Sequence, residues 1–277
     1  MAKIIDSAKL DNISIEYRRG ILEIINFARR GHIGSAFSIM EIIRVLYDDV
    51  LCVKPDNPFC EDRDRFILSK GHGCLALYVV LAAKQFFPKK ELYTFCESES
   101  ILGGHPDYGK VPGIEASTGS LGHGLSVGVG IALGGKIDKK NYRTFILLGD
   151  GECNEGSVWE AAMTISKHKL NRLFVIVDYN KMQCYSKTSE VLELEPFGDK
   201  WRSFGFVVLE VDGHDVEALR KVFRKATQNY DEPKVIICHT TKGKGVSLLE
   251  NDPSWHHKSR IPDELMQKLF AELKLLS

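Results

Sequence analysis

The sequence has no excess of charge of either sign and no long hydrophobic run. Lysine and arginine together number 37, as do aspartate and glutamate, so net charge gives no reason to expect nucleic acid or an anionic membrane as a partner. The longest strongly apolar run, residues 74–83, is too short to span a bilayer. We therefore expect a soluble protein that binds small molecules or another protein.

Cysteine is present, but its spacing follows no pattern. The seven cysteines are odd in number and form no Cys-x-x-Cys pair, which argues against a disulfide framework and against a zinc site. Residues 1–14 mix charged with aliphatic side chains and lack the apolar core and cleavage site of a signal peptide. These features favour the reducing cytoplasm as the location.

The length of the chain allows one large domain. With 277 residues, 44% of them hydrophobic, it can bury a full core and lies near the upper size for a single domain. No internal repeat, low-complexity tract or interdomain linker is apparent, so one domain over residues 1–277 is expected. Segments 97–113 and 241–253 are predicted to be long loops, and long loops in a compact domain are often functional.

The first third of the sequence is predicted to be helical. Apolar residues recur at helical spacing through 13–28 and again through 39–51. Ser38 and Glu41 have the spacing of a capping box, which predicts that the second helix starts there.

From residue 65 onward the pattern changes to short β-branched or aromatic runs separated by helical stretches. Five strands are predicted, at residues 65–68, 144–148, 173–178, 206–211 and 235–240. Such alternation predicts an α/β fold with a mostly parallel sheet and helices on both faces.

One βαβ unit in the middle of the chain carries the most informative motif. The strand 144–148 runs into Gly149, Asp150 and Gly151; a helix near 157–167 and the strand 173–178 follow, and then Asn180. Parallel strands end at the same edge of a sheet, where open α/β sheets bind ligands. The oxygens of Asp150 and Asn180 are therefore expected to converge.

This arrangement suits a diphosphate held with a magnesium ion. Gly149 and Gly151 let the backbone turn tightly and approach an anion, and the helix N-terminus that follows offers free N–H groups. The Asp150 carboxylate, the Asn180 amide oxygen and a loop carbonyl make half of an octahedral Mg²⁺ shell. Gly-Asp-Gly alone is a common turn; the order of strand, loop, helix, strand and asparagine is much rarer. Rival phosphate motifs at 122–127, 128–133 and 241–247 lack required residues.

Residues 149–180 resemble the thiamine diphosphate fingerprint, and six further motifs narrow the resemblance to the transketolase family. They occur in family order across nearly the whole chain: RGHIGS at 30–35, SKGHG at 69–73, GHP at 104–106, STGSLG at 117–122, VDGHD at 211–215 and SWH at 254–256. The resemblance implies the thiamine-diphosphate-binding fold.

The resemblance also implies a cofactor site. It assigns Mg²⁺ (or Ca²⁺) to Asp150, Asn180 and the carbonyl of Met182. The groups around the diphosphate would be Lys70, His72, Gly151 and His256. The backbone at Gly119 and Leu121 would meet the aminopyrimidine ring, and Lys242 would line the cofactor site.

The catalytic residues implied by the resemblance are His32, His105 and His256. His32 and His105 match histidines that contact donor-sugar hydroxyls and the developing oxyanion. Five of the nine histidines follow a glycine, which also suits exposed turns, and for His123 and His214 a local hydrogen bond remains the alternative. Lys70 and Lys242 could equally be solvated surface lysines.

The reaction implied is the transfer of a two-carbon glycolaldehyde unit from a ketose to an aldose. In the family, the carboxylate that activates the aminopyrimidine lies in a second, pyrimidine-binding domain, and a full transketolase is more than twice as long. The chain is therefore expected to be the N-terminal subunit of a split transketolase. It would assemble as two such chains with two partners, with Glu155 and residues 113–133 at or near the interface, including a Gly-rich helix at 121–135.

Three alternatives remain open. The chain could serve another thiamine diphosphate enzyme, such as a deoxyxylulose-phosphate synthase or a 2-oxoacid decarboxylating enzyme. It could be a non-catalytic cofactor-binding subunit, or a metal-dependent phosphohydrolase built on Asp150. Two departures from the family pattern, Ile33 after Gly31-His32 and the absence of Asp-Gly within 181–186, leave the donor sugar open.

Overall fold

A computed structural model describes residues 10–275 of the chain. Its helices are α1 Asn12–Ala28, α2 Ile33–Ser38, α3 Met40–Val45, α4 Cys74–Ala83, α5 His123–Ile137, α6 Gly156–Lys167, α7 Thr188–Val191, α8 Phe197–Ser203, α9 Val216–Thr227 and α10 Asp263–Lys274. Its strands are β1 Arg30–Gly31, β2 Arg65–Leu68, β3 Thr144–Gly149, β4 Leu173–Tyr179, β5 Val207–Asp212, β6 Lys234–His239 and β7 Lys258–Ser259. Most of the segment 1–14, where no signal peptide is expected, lies outside the described residues.

The five predicted strands form one parallel sheet in the order β2-β3-β4-β6-β5. Each strand lies within one residue of its predicted bounds, so the α/β prediction is confirmed. All seven residues of β4 are buried, as expected of a central strand covered by helices on both faces.

Side chains alternate between the two faces of the sheet and build two separate cores. Phe145 and Phe174 point into the larger core, where helices such as α1, α4 and α9 cover the sheet. Ile146 and Val175, one residue further along, point into the second core, which α5, α6 and α8 cover. The period of two along a strand produces this separation.

The first predicted helix is confirmed as α1. The Asp11 side chain caps it by accepting a hydrogen bond from the Ser14 N–H at 2.8 Å, and Arg29 ends it in a left-handed conformation. Its buried residues, including Ile21 and Ile25, recur at helical spacing. No helix among residues 10–275 is long and apolar enough to cross a membrane.

The prediction of one helix over 39–51 with a capping box at its start is wrong. The segment consists of α2, α3 and a π-helical turn at Leu46–Val50. Ser38 ends α2, and its hydroxyl donates to Asp178 Oδ1 at 2.7 Å. Glu41 accepts hydrogen bonds from Arg18 and from the His214 ring. Both side chains are therefore engaged by residues distant in sequence, and neither caps the backbone.

A short antiparallel ladder was not predicted. In it, Arg30 of β1 pairs with Ser259 of β7, and Gly31 pairs with Lys258. Strands of two residues are too short to show alternation in a sequence. The ladder brings the motif at 30–35 beside the motif at 254–256, which lies more than 200 residues away.

Candidate active site

All the residues that the sequence implicates in the site line a single cavity of about 560 Å³ at the carboxyl ends of the strands. These residues are His32, Lys70, His72, His105, Gly119, Leu121, Asp150, Gly151, Asn180, Met182, Lys242 and His256. They come from eight separate segments of the chain. Their convergence is therefore a product of the fold and not of sequence proximity.

The βαβ unit places Asp150 and Asn180 side by side. Gly149, the last residue of β3, pairs with Asp178 of β4, so both chains leave the sheet at the same level. The carboxylate of Asp150 accepts hydrogen bonds from the N–H groups of Gly151 and Lys181. The Asn180 side-chain oxygen accepts from Met182 N–H at 2.9 Å. These bonds fix the orientation of the two predicted metal ligands and leave lone pairs on each oxygen.

The electrostatics at Asp150 suit a bound cation. Burial, followed by the nearby negative charge of Asp178, raises the pKa of Asp150 to about 7. A divalent cation would favour the ionised form. Within residues 10–275, no group of three His, Cys, Asp or Glu side chains is arranged to hold a metal. A cation here would thus depend on the Asn180 amide, on main-chain carbonyls and on oxygens of its own ligand.

Lys70 is not a solvated surface lysine. It is 2% exposed, and its ammonium donates to Asp178 Oδ2. Burial alone would raise the pKa of Asp178, but the charge of Lys70 and the hydrogen bonds from Lys70, Thr240 and Ser38 lower it. Asp178 is therefore ionised and anchors the floor of the cavity.

Lys242 is buried as well, so the surface alternative is wrong for this residue too. Its ammonium donates to the Gln183 carbonyl at 3.0 Å and lies 3.1 Å from His256 Nδ1. Since an ammonium can only donate, Nδ1 of His256 accepts and the ring proton is on Nε2. Burial and the positive charge of Lys70 lower the pKa of Lys242 to about 8.

Four of the cavity histidines form a cluster centred on His32. Its ring centroid lies 5.6 Å from that of His72, 5.9 Å from His105 and 5.3 Å from His256. Burial, then repulsion by neighbouring histidines, lowers the pKa of His32 to about 3. Burial, then the charge of Lys242, lowers the pKa of His256 to about 4. These rings are neutral near pH 7 and can hydrogen-bond uncharged hydroxyls or a developing alkoxide.

Gly119 lies directly against His105. It has φ +147°, and a Cβ atom there would be 3.1 Å from Cδ2 of the His105 ring. The carbonyl of His105 accepts from the Tyr78 hydroxyl at 2.9 Å. The residues around His105 therefore hold it at the cavity, although its side chain is exposed.

Gln183 is a cavity residue that the sequence motifs did not indicate. Its side-chain Nε2 is buried and has no hydrogen-bond partner within the described part of the chain. A Cβ atom on Gly151 would lie 2.7 Å from Gln183 Cγ, so only glycine fits. An unsatisfied amide donor beside a loop of free N–H groups suits an anionic ligand such as a diphosphate. The residues present thus fit the cofactor that the motif implies.

His214 and His123 lie outside the cavity. His214 is 2% exposed; it accepts from Thr241 N–H at Nε2, so its Nδ1 donates to Glu41. For His214, the alternative of a local hydrogen bond is therefore confirmed. His123 is exposed at the start of α5. Glu155 lines the cavity rim just before α6.

A second cavity, of about 390 Å³, lies where the amino end of β3 begins. It is rich in lysine and arginine, but these side chains have protein partners. Lys136 donates to the His168 carbonyl, and Arg172 donates to the Asn141 carbonyl. It holds none of the residues that the motifs implicate, so we assign the site to the larger cavity.

Comparison with known proteins identifies the family. A family model described as the thiamine diphosphate binding domain of transketolase matches residues 11–269. One of the two subunits of an apulose-4-phosphate transketolase from Phocaeicola vulgatus is 47% identical over 240 residues, which is 87% of this chain and 85% of the relative. The 6-deoxy-6-sulfo-D-fructose transketolase subunit SqwG of a Clostridium species is 39% identical and covers 93% of each chain.

Solved structures agree with this result. Transketolase from Leishmania mexicana superimposes with a TM-score of 0.84 at 26% identity, over 98% of this chain and 45% of that chain. Transketolase from Campylobacter jejuni gives 0.86 at 26% identity, over 95% and 43%. This chain thus spans less than half the length of the solved transketolases that it matches, whereas it spans most of the two subunit relatives.

Proposed function

This chain belongs to the transketolase family, and we propose that it is the diphosphate-binding subunit of a two-subunit transketolase. As a single domain, it would bind thiamine diphosphate with Mg²⁺ (or Ca²⁺) and take part in moving a two-carbon unit from a ketose to an aldose. One observation carries the proposal: one cavity has an anion-binding loop beside Asp150 at one end and a cluster of neutral histidines around His32 at the other.

The residues of the loop end would hold the cofactor's charged part. Asp150, Asn180 and the carbonyl of Met182 would ligate the metal. His72, His256, Gly151 and Lys70 would surround the diphosphate, Lys242 would line the same space, and the backbone at Gly119 and Leu121 would meet the ring. Bound thiamine diphosphate would supply the nucleophile and electron sink for breaking a carbon–carbon bond beside a carbonyl.

The histidine end would hold the sugar. A neutral imidazole can donate one hydrogen bond and accept another, which suits the hydroxyls of a ketose. The catalytic histidines His32 and His105 would bind these hydroxyls and stabilise negative charge on the substrate oxygen. His256, with its proton on Nε2, would donate toward the diphosphate side.

The cavity lacks a free carboxylate for the aminopyrimidine ring. Of the carboxylates that line it, Asp150 faces the metal position, and Glu152 accepts hydrogen bonds from Ser69, Gly122 and Gly149. Glu155 lies at the rim. The carboxylate at the ring nitrogen would therefore come from a second polypeptide with a pyrimidine-binding domain.

Exposed apolar side chains at the cavity rim support such a partner. Leu121 is 37% exposed, Val127 42%, Val191 47% and Leu192 58%. Exposed apolar groups clustered around a cavity mark interaction surfaces. We propose that this rim, with Glu155 and residues 113–133, meets the partner in an assembly of two chains of each kind. All seven cysteines are unpaired thiols, which fits the cytoplasm.

Cofactor titration tests the assignment of the cavity. Calorimetry should detect thiamine diphosphate binding that requires Mg²⁺, with at most weak binding of inorganic diphosphate. If inorganic diphosphate bound equally well and was hydrolysed, a phosphohydrolase would replace the proposed function. With the partner present, turnover of pyruvate but not of ketose phosphates would instead point to a 2-oxoacid enzyme.

A further inference from the structure

His257 faces His32 across the short ladder of β1 and β7. In this antiparallel ladder, Arg30 pairs with Ser259 and Gly31 with Lys258. The next pair in the same register is His32 with His257. Directly opposed residues of antiparallel strands have side chains in contact, and the two ring centroids are 4.7 Å apart. The backbone therefore holds the two imidazoles together.

The position of His257 differs from that of its neighbour His256. The His256 ring turns inward to Lys242 and lines the cavity. His257 is exposed and does not wall the cavity, yet its ring touches the opposite side of the same His32 ring. Among residues 10–275, the ring nitrogens of His257 make no hydrogen bond to a protein group. They are open to a ligand that extends outward past His32.

The direction of such a ligand follows from the reaction. The two transferred carbons must lie beside the cofactor, deep in the cavity, and the remaining sugar must face the opening, because it leaves as an aldose. A ketose bound by His32 therefore directs its further hydroxyls toward solvent. His257 is the polar side chain that the ladder places next to His32 in that direction.

We propose that His257 is a specificity-determining residue that hydrogen-bonds a hydroxyl of the ketose donor beyond the two transferred carbons. This inference depends on the proposed function. It concerns a contact that favours polyhydroxylated donors over donors with nothing but a small leaving group after the two-carbon unit.

The test uses the enzyme with its partner, Mg²⁺ and thiamine diphosphate, and compares two donors. Xylulose 5-phosphate carries hydroxyls beyond the transferred unit, and hydroxypyruvate carries only a carboxylate. We expect His257→Ala to lower kcat/KM for xylulose 5-phosphate about tenfold, the usual effect of losing one hydrogen bond, and to change hydroxypyruvate turnover less than twofold. His257→Asn, which keeps a donor and an acceptor, should restore part of the loss.

Ser259→Ala is the matched control, because Ser259 is exposed in the same ladder and its partner Arg30 does not line the cavity. It should leave both donors unchanged, and all variants should keep their melting temperature and cofactor affinity. Equal losses with both donors, or no loss with either, would overturn the role of His257. Failure of the unmodified enzyme to use either donor would instead contradict the proposed function.

Discussion

The ammonium of Lys70 and the carboxylate of Asp178 form a buried ion pair beneath the cavity, with side chains that are 2% and 0% exposed. The pair links the end of β2 to the end of β4, and Ser38 and Thr240 add hydrogen bonds to the same carboxylate. Removing one partner of such a pair leaves a buried charge without compensation.

We therefore expect Lys70→Met to lower the free energy of unfolding by about 3–5 kcal/mol in the absence of cofactor. Urea unfolding followed by circular dichroism measures this change. Lys110→Met is the control, because the Lys110 side chain is 64% exposed in a surface pair, and it should cost less than about 0.5 kcal/mol. Equal stability of the two variants would show that Asp178 does not depend on Lys70.

The metal assignment predicts that Asp150→Ala and Asn180→Ala each weaken Mg²⁺-dependent binding of thiamine diphosphate by at least about a hundredfold. Each change removes a direct oxygen ligand, and even groups one shell further out are worth ten- to a hundredfold. Calorimetry provides the affinity, and circular dichroism should report a retained fold. Asp138→Ala, at an exposed position after α5, should bind normally. Unchanged affinity in either site variant would require other ligands.

The position of His105 predicts a kinetic effect. His105→Ala, assayed with the partner, should lower kcat with a ketose donor by about a hundredfold and change cofactor affinity much less. Its ring contacts Gly119 and the His32 cluster, where the substrate is expected. His168→Ala is a control at an exposed position outside the cavity. Loss of cofactor affinity with normal turnover at saturation would place His105 at the cofactor instead.

The histidine cluster predicts a loss of stability in mild acid. His32 and His256 have pKa values of about 3 and about 4 in the folded protein, against about 6.5 when unfolded. Between pH 6.5 and 4 the unfolded chain therefore binds more protons, so the free energy of unfolding falls as the pH falls. The contribution is fully present above pH 6.5.

His32→Gln and His256→Gln should each flatten this dependence when urea unfolding is measured at several pH values between 4 and 7. The change in slope should stay below the limit of about 1.4 kcal/mol per pH unit for one proton, because both rings are partly exposed and screened. An unchanged slope in both variants would mean that these rings are protonated in the native state.

Sequence patterns predicted the sheet well because local preference and burial agree there. The residues of β4, for example, are mostly β-branched or aromatic and are also buried on both faces. The site residues could be placed in one cavity because parallel strands present their carboxyl ends together, and because motifs resembling those of a family identified the remaining positions.

The errors arose where long-range contacts decide the local structure. Ser38 and Glu41 match a capping box, but Asp178, Arg18 and His214 bind them from other parts of the fold. Gln183 and His257 belong to no motif, and what singles them out is an unsatisfied buried amide and a two-residue ladder. Neither feature has a local sequence signal.

The most direct measurement is ketol transfer by the chain alone and with its proposed partner. The chain should be purified by itself and together with a second polypeptide that carries a pyrimidine-binding domain, such as the product of an adjacent gene. Each sample would be given thiamine diphosphate, Mg²⁺, xylulose 5-phosphate and an aldose acceptor. We expect no transfer by the isolated chain, and transfer by a complex whose mass corresponds to two chains of each kind. Robust transfer by the isolated chain would contradict this account.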